Sequence, residues 1–249
     1  MPRSLSKQLR HRQNVRRLRS LRQSLQMESL EARMLLTAYA DAVLADNPLA
    51  FFQFDEGSGT TANDSTANAT HGNIENATYS LNGGGRGGDA GNYALSFDGN
   101  GDSVRVVDDA TSVNTNAFNS ITANNKVTVE FWQYGIGQAR DDTIFGGFDS
   151  SGNRQVMSHL PWGNSNVYFD TGGGASTPSQ RINTAMPATT FNGRWNHWVF
   201  IKDGNNKTVY NNGVAIPALT QSNATANIGD IHRFFVGSEA NSSGGITNS

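Results

Sequence analysis

Three oxygen-bearing side chains alternate in "FDGNGDSVRV": Asp98, Asn100 and Asp102. Calcium takes carboxylate and amide oxygens, and a helix-flanked calcium loop opens with this spacing. Such a loop also wants Gly at its sixth position and Glu at its twelfth. Here those places hold Ser103 and Asp109, and Val104 and Val106 then alternate as in a strand. The stretch reads first as a turn between two short strands, its Asp, Asn and Gly supplying the backbone angles. Calcium bound at the rim of this turn is the second reading.

Aromatic residues form the other chemical group. In "KVTVEFWQYG", Trp132 and Tyr134 share a face with Thr128 and Glu130. A flat ring beside hydrogen-bonding groups suits a sugar, whose C–H face packs on the ring while its hydroxyls meet the polar groups. Trp162, in the loop "HLPWGNSN", is expected to be exposed and offers the same chemistry. Packing between strands or under a loop is the alternative for all three.

Other motifs carry less. "GGGRGG" spaces Gly83, Gly85 and Gly88 like a dinucleotide fingerprint, but "DAGNYALSF" follows it where a helix would be needed. The chain has no cysteine, and its five histidines show no ligand spacing. His197, in "RWNHWVFI", reads as a buried or half-buried structural residue.

The elements that must hold these residues are strands. The chain has 249 residues, 36% of them hydrophobic, and 27 glycines. "NPLAFFQF", "NYALSFDGNGDSVRVVD", "KVTVEFWQYG", "RWNHWVFIKDGNNKTVYNNGVAIPAL" and "HRFFVGS" give short apolar or alternating runs separated by Asn- and Gly-rich turns. "DGNN" and "NNG" are hairpin signals. No helix is expected after residue 40. The pattern implies an all-β, two-sheet antiparallel sandwich. Leu95, Phe97, Val104, Val127, Val129, Phe131, Val199 and Ile201 are its expected core.

Charge divides the chain. Residues 1–40 carry nine Lys/Arg and two Glu, whereas the remainder carries ten Lys/Arg and nineteen Asp/Glu. The acidic body argues against a phosphate-neutralising nucleic-acid surface. Residues 1–45 read as a basic leader, disordered or helical, and 46–249 as the sandwich. No run of about 18 apolar residues marks a transmembrane helix.

Two resemblances add to this reading. "SLEARMLLTA" is similar to the Leu-Glu-Pro-Arg-x-Leu-Leu motif near the start of large surface or exported proteins of planctomycete-type bacteria. Leu30, Glu31, Arg33, Leu35 and Leu36 match it, and Ala32 stands where Pro is usual. The resemblance implies a sorting element ahead of extracellular modules. From Asp46 onward, the order of segments resembles a laminin-G-like module, the concanavalin A-like jelly roll. That implies two antiparallel sheets packed face to face and, in some modules, calcium held by loops. The chain stops at "SSGGITNS", ahead of the Gly-x-Ile-Asp-Asp-like closing strand that the resemblance leads one to expect. A module cut before its last strand or strands would leave an unpaired edge near "LAFFQF".

The same fold carries laminarinase-type glycosidases, which need Glu-x-Asp-x-x-Glu to place two carboxylates on one face. That spacing is absent here, as Phe131 and Trp132 follow Glu130. The leading expectation is a non-catalytic carbohydrate-binding or adhesion module of an exported or cell-surface protein. Its ligand would be an extracellular polysaccharide or a surface glycoprotein. A structural spacer and a glycan-cleaving enzyme are the rivals.

Overall fold

The structure, a computed structural model, describes residues 39–81, 83–88, 90–108, 118–137, 141–173, 177–240 and 246–247. The motif Leu30–Leu36 and the rest of the leader to residue 38 lie outside the described residues.

Short alternating runs form β1 (Thr61–Ala62), β2 (Gly72–Glu75), β3 (Thr78–Tyr79), β4 (Leu95–Ser96) and β5 (Ser103–Asp108). Helix α1 (Asn119–Asn124) precedes β6 (Lys126–Tyr134), β7 (Thr143–Phe148), β8 (Arg154–His159), β9 (Asn166–Thr171) and β10 (Arg181–Ala185). Helix α2 (Ala188–Phe191) leads to β11 (Trp195–Asp203), β12 (Asn206–Asn211), β13 (Val214–Gln221), β14 (Arg233–Val236), β15 (Glu239–Ala240) and β16 (Ile246–Thr247). One sheet has the order β1-β2-β5-β14-β7-β8-β9-β10 and the other β13-β12-β11-β6, with β3-β4 and β15-β16 as separate pairs.

Aromatic side chains join the two large sheets across the core. Phe145 of β7 meets Phe131 of β6 at 6.2 Å and Phe200 of β11 at 5.4 Å between ring centroids. Phe169 of β9 meets Phe200 at 5.4 Å. The architecture is the antiparallel two-sheet sandwich expected. Both hairpin signals close as read: Asp203 pairs with Asn206, and Asn211 with Val214. In the second, Asn212 and Gly213 take φ of 50° and 79°, the left-handed pair that a tight two-residue hairpin demands.

Four expectations differ from the structure. On β11 the alternation is right but the face is reversed. Trp198 and Phe200 are fully buried, while Val199 and Ile201 lie half-buried on the outer face with His197. Both faces of this strand are apolar, and the interior takes the larger rings. "LAFFQF" forms a single bridge, Phe52 to Asp64, rather than an edge strand. Phe54 takes φ of 57°, which breaks extension, although Leu49, Phe52 and Phe54 still pack on the core. The strands flanking the 98–102 turn do not pair with each other. β4 pairs with β3, whereas β5 pairs with β2 and β14. Finally, helices follow residue 40: residues 41–45 continue a helical segment begun at 39, and α1 and α2 are too short for a helical period to show.

Of the remaining expected core, Val104 and Val127 are buried, and Leu95, Phe97, Val129 and Phe131 pack against the cluster. Two lysines also point inward. Lys202 Nζ donates to the carbonyls of Gly204 (2.8 Å) and Ala224 (2.7 Å). Lys207 Nζ crosses from the four-stranded sheet to the carbonyls of Phe169 (3.1 Å) and Gln180. Burial pushes the Lys207 ammonium down to about 7. Its unfolded value is near 10.4, so the unfolded chain binds the extra proton between these limits. The contribution of Lys207 to stability is therefore greatest above about pH 10 and falls as pH drops towards 7. Denaturant titrations at pH 7 and 9.5 should show this rise in the parent, and Lys207→Met should abolish it.

Candidate functional site

The outward face of the eight-stranded sheet carries the most developed site. Along β9, Val167 and Phe169 enter the core, so Tyr168 and Asp170 face outward. Along β10, Ile182 enters the core and Arg181 faces outward, directly opposite Asp170. His159 of β8 sits opposite Tyr168. A register shift in the β7–β8 pairing, from Gly147↔Val156 to Phe148↔Arg154, turns Arg154 to the same side.

These side chains are locked together. Arg181 Nε and Nη2 donate to the two oxygens of Asp170 at 2.6 and 2.5 Å, a two-pronged contact. Arg154 lies 3.7 Å from Asp170 and donates to Glu239 at 3.0 Å. Arg181 also lies over the Tyr168 ring, at 4.3 Å from its centroid. The His159 ring is 4.2 Å from Trp162 and 5.9 Å from Tyr168. Its Nδ1 lies 3.1 Å from the Asp142 carbonyl, which can only accept, so Nδ1 carries the proton and Nε2 is an acceptor. Burial first, and then the Arg154 charge, pull His159 down to about 4, so it is neutral near pH 7. Asn164 donates to the Tyr168 hydroxyl at 2.7 Å. Arg154, His159, Trp162, Tyr168 and Arg181 line a cavity of about 170 Å³. Trp162 is half-buried here rather than exposed.

Trp132 and Tyr134 lie elsewhere, on the outward face of the four-stranded sheet. Trp132 packs on His197 at 4.7 Å, and the Arg86 guanidinium lies 3.7 Å over its ring. Thus the "GGGRGG" segment supplies a cation above the indole. Tyr134 is 45% exposed beside Trp195, 5.6 Å away. His197 Nε2 is 3.0 Å from Glu130, and the Tyr39 hydroxyl donates to the same carboxylate at 3.4 Å. Contact with the body therefore begins ahead of Asp46. The sandwich core separates these two aromatics from Trp162.

The 98–102 segment is a turn with its carboxylates engaged by its own backbone. Asp102 accepts from the Asp98 N–H, and Asp98 accepts from the Asn100 N–H at 2.9 Å. Gly99 and Gly101 take positive φ. No group of three or more His, Asp or Glu able to hold a metal occurs among the described residues. A comparable turn, missed in the sequence, surrounds Asp64. Its carboxylate accepts from the N–H groups of Phe51, Thr66 and Thr70 and from the Thr66 hydroxyl.

Trp162 was visible as a loop aromatic. Arg154, Tyr168, Asp170 and Arg181 were not, because each looks like an ordinary outward strand residue until pairing joins them.

Known structures share the fold at low identity. Trypanosoma rangeli sialidase in complex with sialic acid is 16% identical, with a TM-score of 0.55 over 80% of this chain and 28% of that one. This chain thus spans less than a third of the sialidase. Domain 4 of AbnA, a GH43 extracellular arabinanase from Geobacillus stearothermophilus, in complex with arabinotriose, is 18% identical. Its TM-score is 0.50, over 80% of this chain and 87% of that one. The binding domain of botulinum neurotoxin DC, in complex with rat synaptotagmin II, is 13% identical, with a TM-score of 0.51 over 75% and 42%. No curated protein matches the sequence. The family model of the concanavalin A-like lectin/glucanases superfamily matches residues 108–247, more than half of the chain. By that match and by its two-sheet sandwich, the chain belongs to the concanavalin A-like lectin/glucanases superfamily.

Proposed function

We propose that the chain is a non-catalytic carbohydrate-binding or adhesion module of an exported or cell-surface protein. Its ligand, an extracellular polysaccharide or surface glycoprotein, contacts the cavity beside Trp162. The supporting observation is the cavity itself: an indole, a phenol and a neutral imidazole stand beside two guanidinium groups. That set offers ring-stacking surface and hydrogen-bond donors together, as sugar recognition requires. The AbnA domain and the neurotoxin domain, with an oligosaccharide and a protein bound respectively, are compatible with either kind of partner. The fold serves glycosidases as well as binding domains, and the lining supports the binding reading. None of the five lining side chains is a carboxylate, and Asp170 and Glu239 behind them are both engaged by Arg154. No described helix is long and apolar enough to cross a membrane.

A polysaccharide pull-down and glycan array on the full chain test this reading. Trp162→Ala should weaken binding by about 1–3 kcal/mol, the range for an interfacial anchor. Trp132→Ala and Tyr134→Ala should leave it unchanged. The reverse pattern would move the site to the four-stranded sheet. No binding by a folded parent would favour a spacer. A calcium contribution from Asp98, Asn100 and Asp102 would appear as binding lost to chelator and equally to Asp98→Ala.

A further inference from the structure

The three ion pairs at the cavity point the same way. Asp170 has no exposed side-chain surface and Glu239 has 10%, whereas their partners Arg154 and Arg181 expose 30% and 25%. The carboxylates are behind and the guanidinium groups in front. A molecule entering the cavity therefore meets N–H donors of two cations and no carboxylate from this cluster. Asp170 takes Nε and Nη2 of Arg181, which leaves the Nη1 edge of that fork for another acceptor. The cavity, at about 170 Å³, has room for one ring rather than a run of sugars.

We infer that this cavity is a subsite for a single acidic sugar unit, its carboxylate received by Arg154 and Arg181 and its ring laid against Trp162. The inference rests on the carbohydrate-binding reading and gives that reading a ligand class. The Arg181 fork is held by Asp170, so a ligand carboxylate would take the remaining N–H edges of the two guanidinium groups, and its full charge makes those hydrogen bonds stronger than a hydroxyl's. A chain end or side branch fits a one-ring cavity, whereas an internal segment would have to thread it. Burial first, and the two arginines after it, disfavour protonation of the His159 imidazole. Neutral, it keeps Nε2 as an acceptor for a sugar hydroxyl.

The test uses the full chain and immobilised oligosaccharides ending in a hexuronic acid, a sulfated hexose or the parent neutral hexose. The uronic acid probe should bind about tenfold or more tightly than the neutral parent in dilute buffer. That preference should shrink towards parity at about 1 M salt, where charges are screened within about 3 Å. Arg181→Gln alone strands a buried carboxylate and risks the fold, so Asp170→Asn/Arg181→Gln is the informative variant. It should lose the uronic acid preference while keeping weak binding to the neutral probe. Equal, salt-insensitive binding of uronic acid and neutral probes would overturn the acidic-sugar assignment and leave the carbohydrate reading standing. Preference for the sulfated probe alone would overturn the carboxylate assignment. Failure of all three probes with a folded parent would overturn the acidic-sugar assignment, and a blank glycan array beside it would overturn the carbohydrate reading as well.

Discussion

Trp198→Ala should cost about 3–5 kcal/mol of folding stability, the usual range for removing a large buried aromatic. Trp198 is fully buried on β11, stacks on Phe191 at 5.9 Å and meets Phe200 at 6.2 Å. Its Nε1–H donates to Gln133 of the neighbouring strand at 3.3 Å. Truncation removes the ring from between strand and helix α2 and leaves that amide without its donor. Val199→Ala, one residue along and on the outer face, should cost under about 1.5 kcal/mol, because the site is half-buried and can relax. Urea titrations of the two variants measure the contrast. Equal losses would mean that the face assignment of β11 is wrong.

Arg181→Ala should cost a comparable amount, about 3–5 kcal/mol, by a different mechanism. Asp170 is fully buried and receives both prongs of the Arg181 fork. Without Arg181, Arg154 is the ion-pair partner left among the described residues, at 3.7 Å. A buried carboxylate stripped of its close partner bears most of its desolvation cost. Asp170→Asn in the same chain as Arg181→Gln should recover much of the loss, since no charge is then stranded. Denaturation of the single and double variants closes a cycle that gives the coupling directly. Additive losses would show that Asp170 and Arg181 act independently.

The fold was legible wherever the two faces of a strand differ. In β6, Val127, Val129 and Phe131 alternate with Thr128 and Glu130, and the contrast identifies the inner face. In β11 the contrast fails: "HWVFIK" is apolar at both parities, and its inward Lys202 imitates an outward residue. Only the packing of Phe200 against Phe145 and Phe169 of the opposite sheet, and of Trp198 against Phe191 of α2, settles the direction. The 98–102 turn was legible from its residues, but the partners of its flanking strands were not, because strand pairing is non-local. The candidate site divides in the same way. A tryptophan in a loop stands out in one dimension. The Arg154–Asp170–Arg181 set depends on a register shift between β7 and β8 and on the pairing of β9 with β10. Neither leaves a mark in local spacing.

The proposed entry of ligand at the cavity on the eight-stranded sheet can be followed by titrating a binding saccharide into the full, nitrogen-15-labelled chain and reading the indole N–H signals. The chain has 4 tryptophans, so each can be assigned by substitution. Trp162 lines the cavity, Trp198 is in the core, and Trp132 and Trp195 lie on the opposite outer face. The Trp162 signal should move in proportion to occupancy while those of Trp132 and Trp195 stay in place. Movement of Trp132 or Trp195 with a stationary Trp162 would contradict the account.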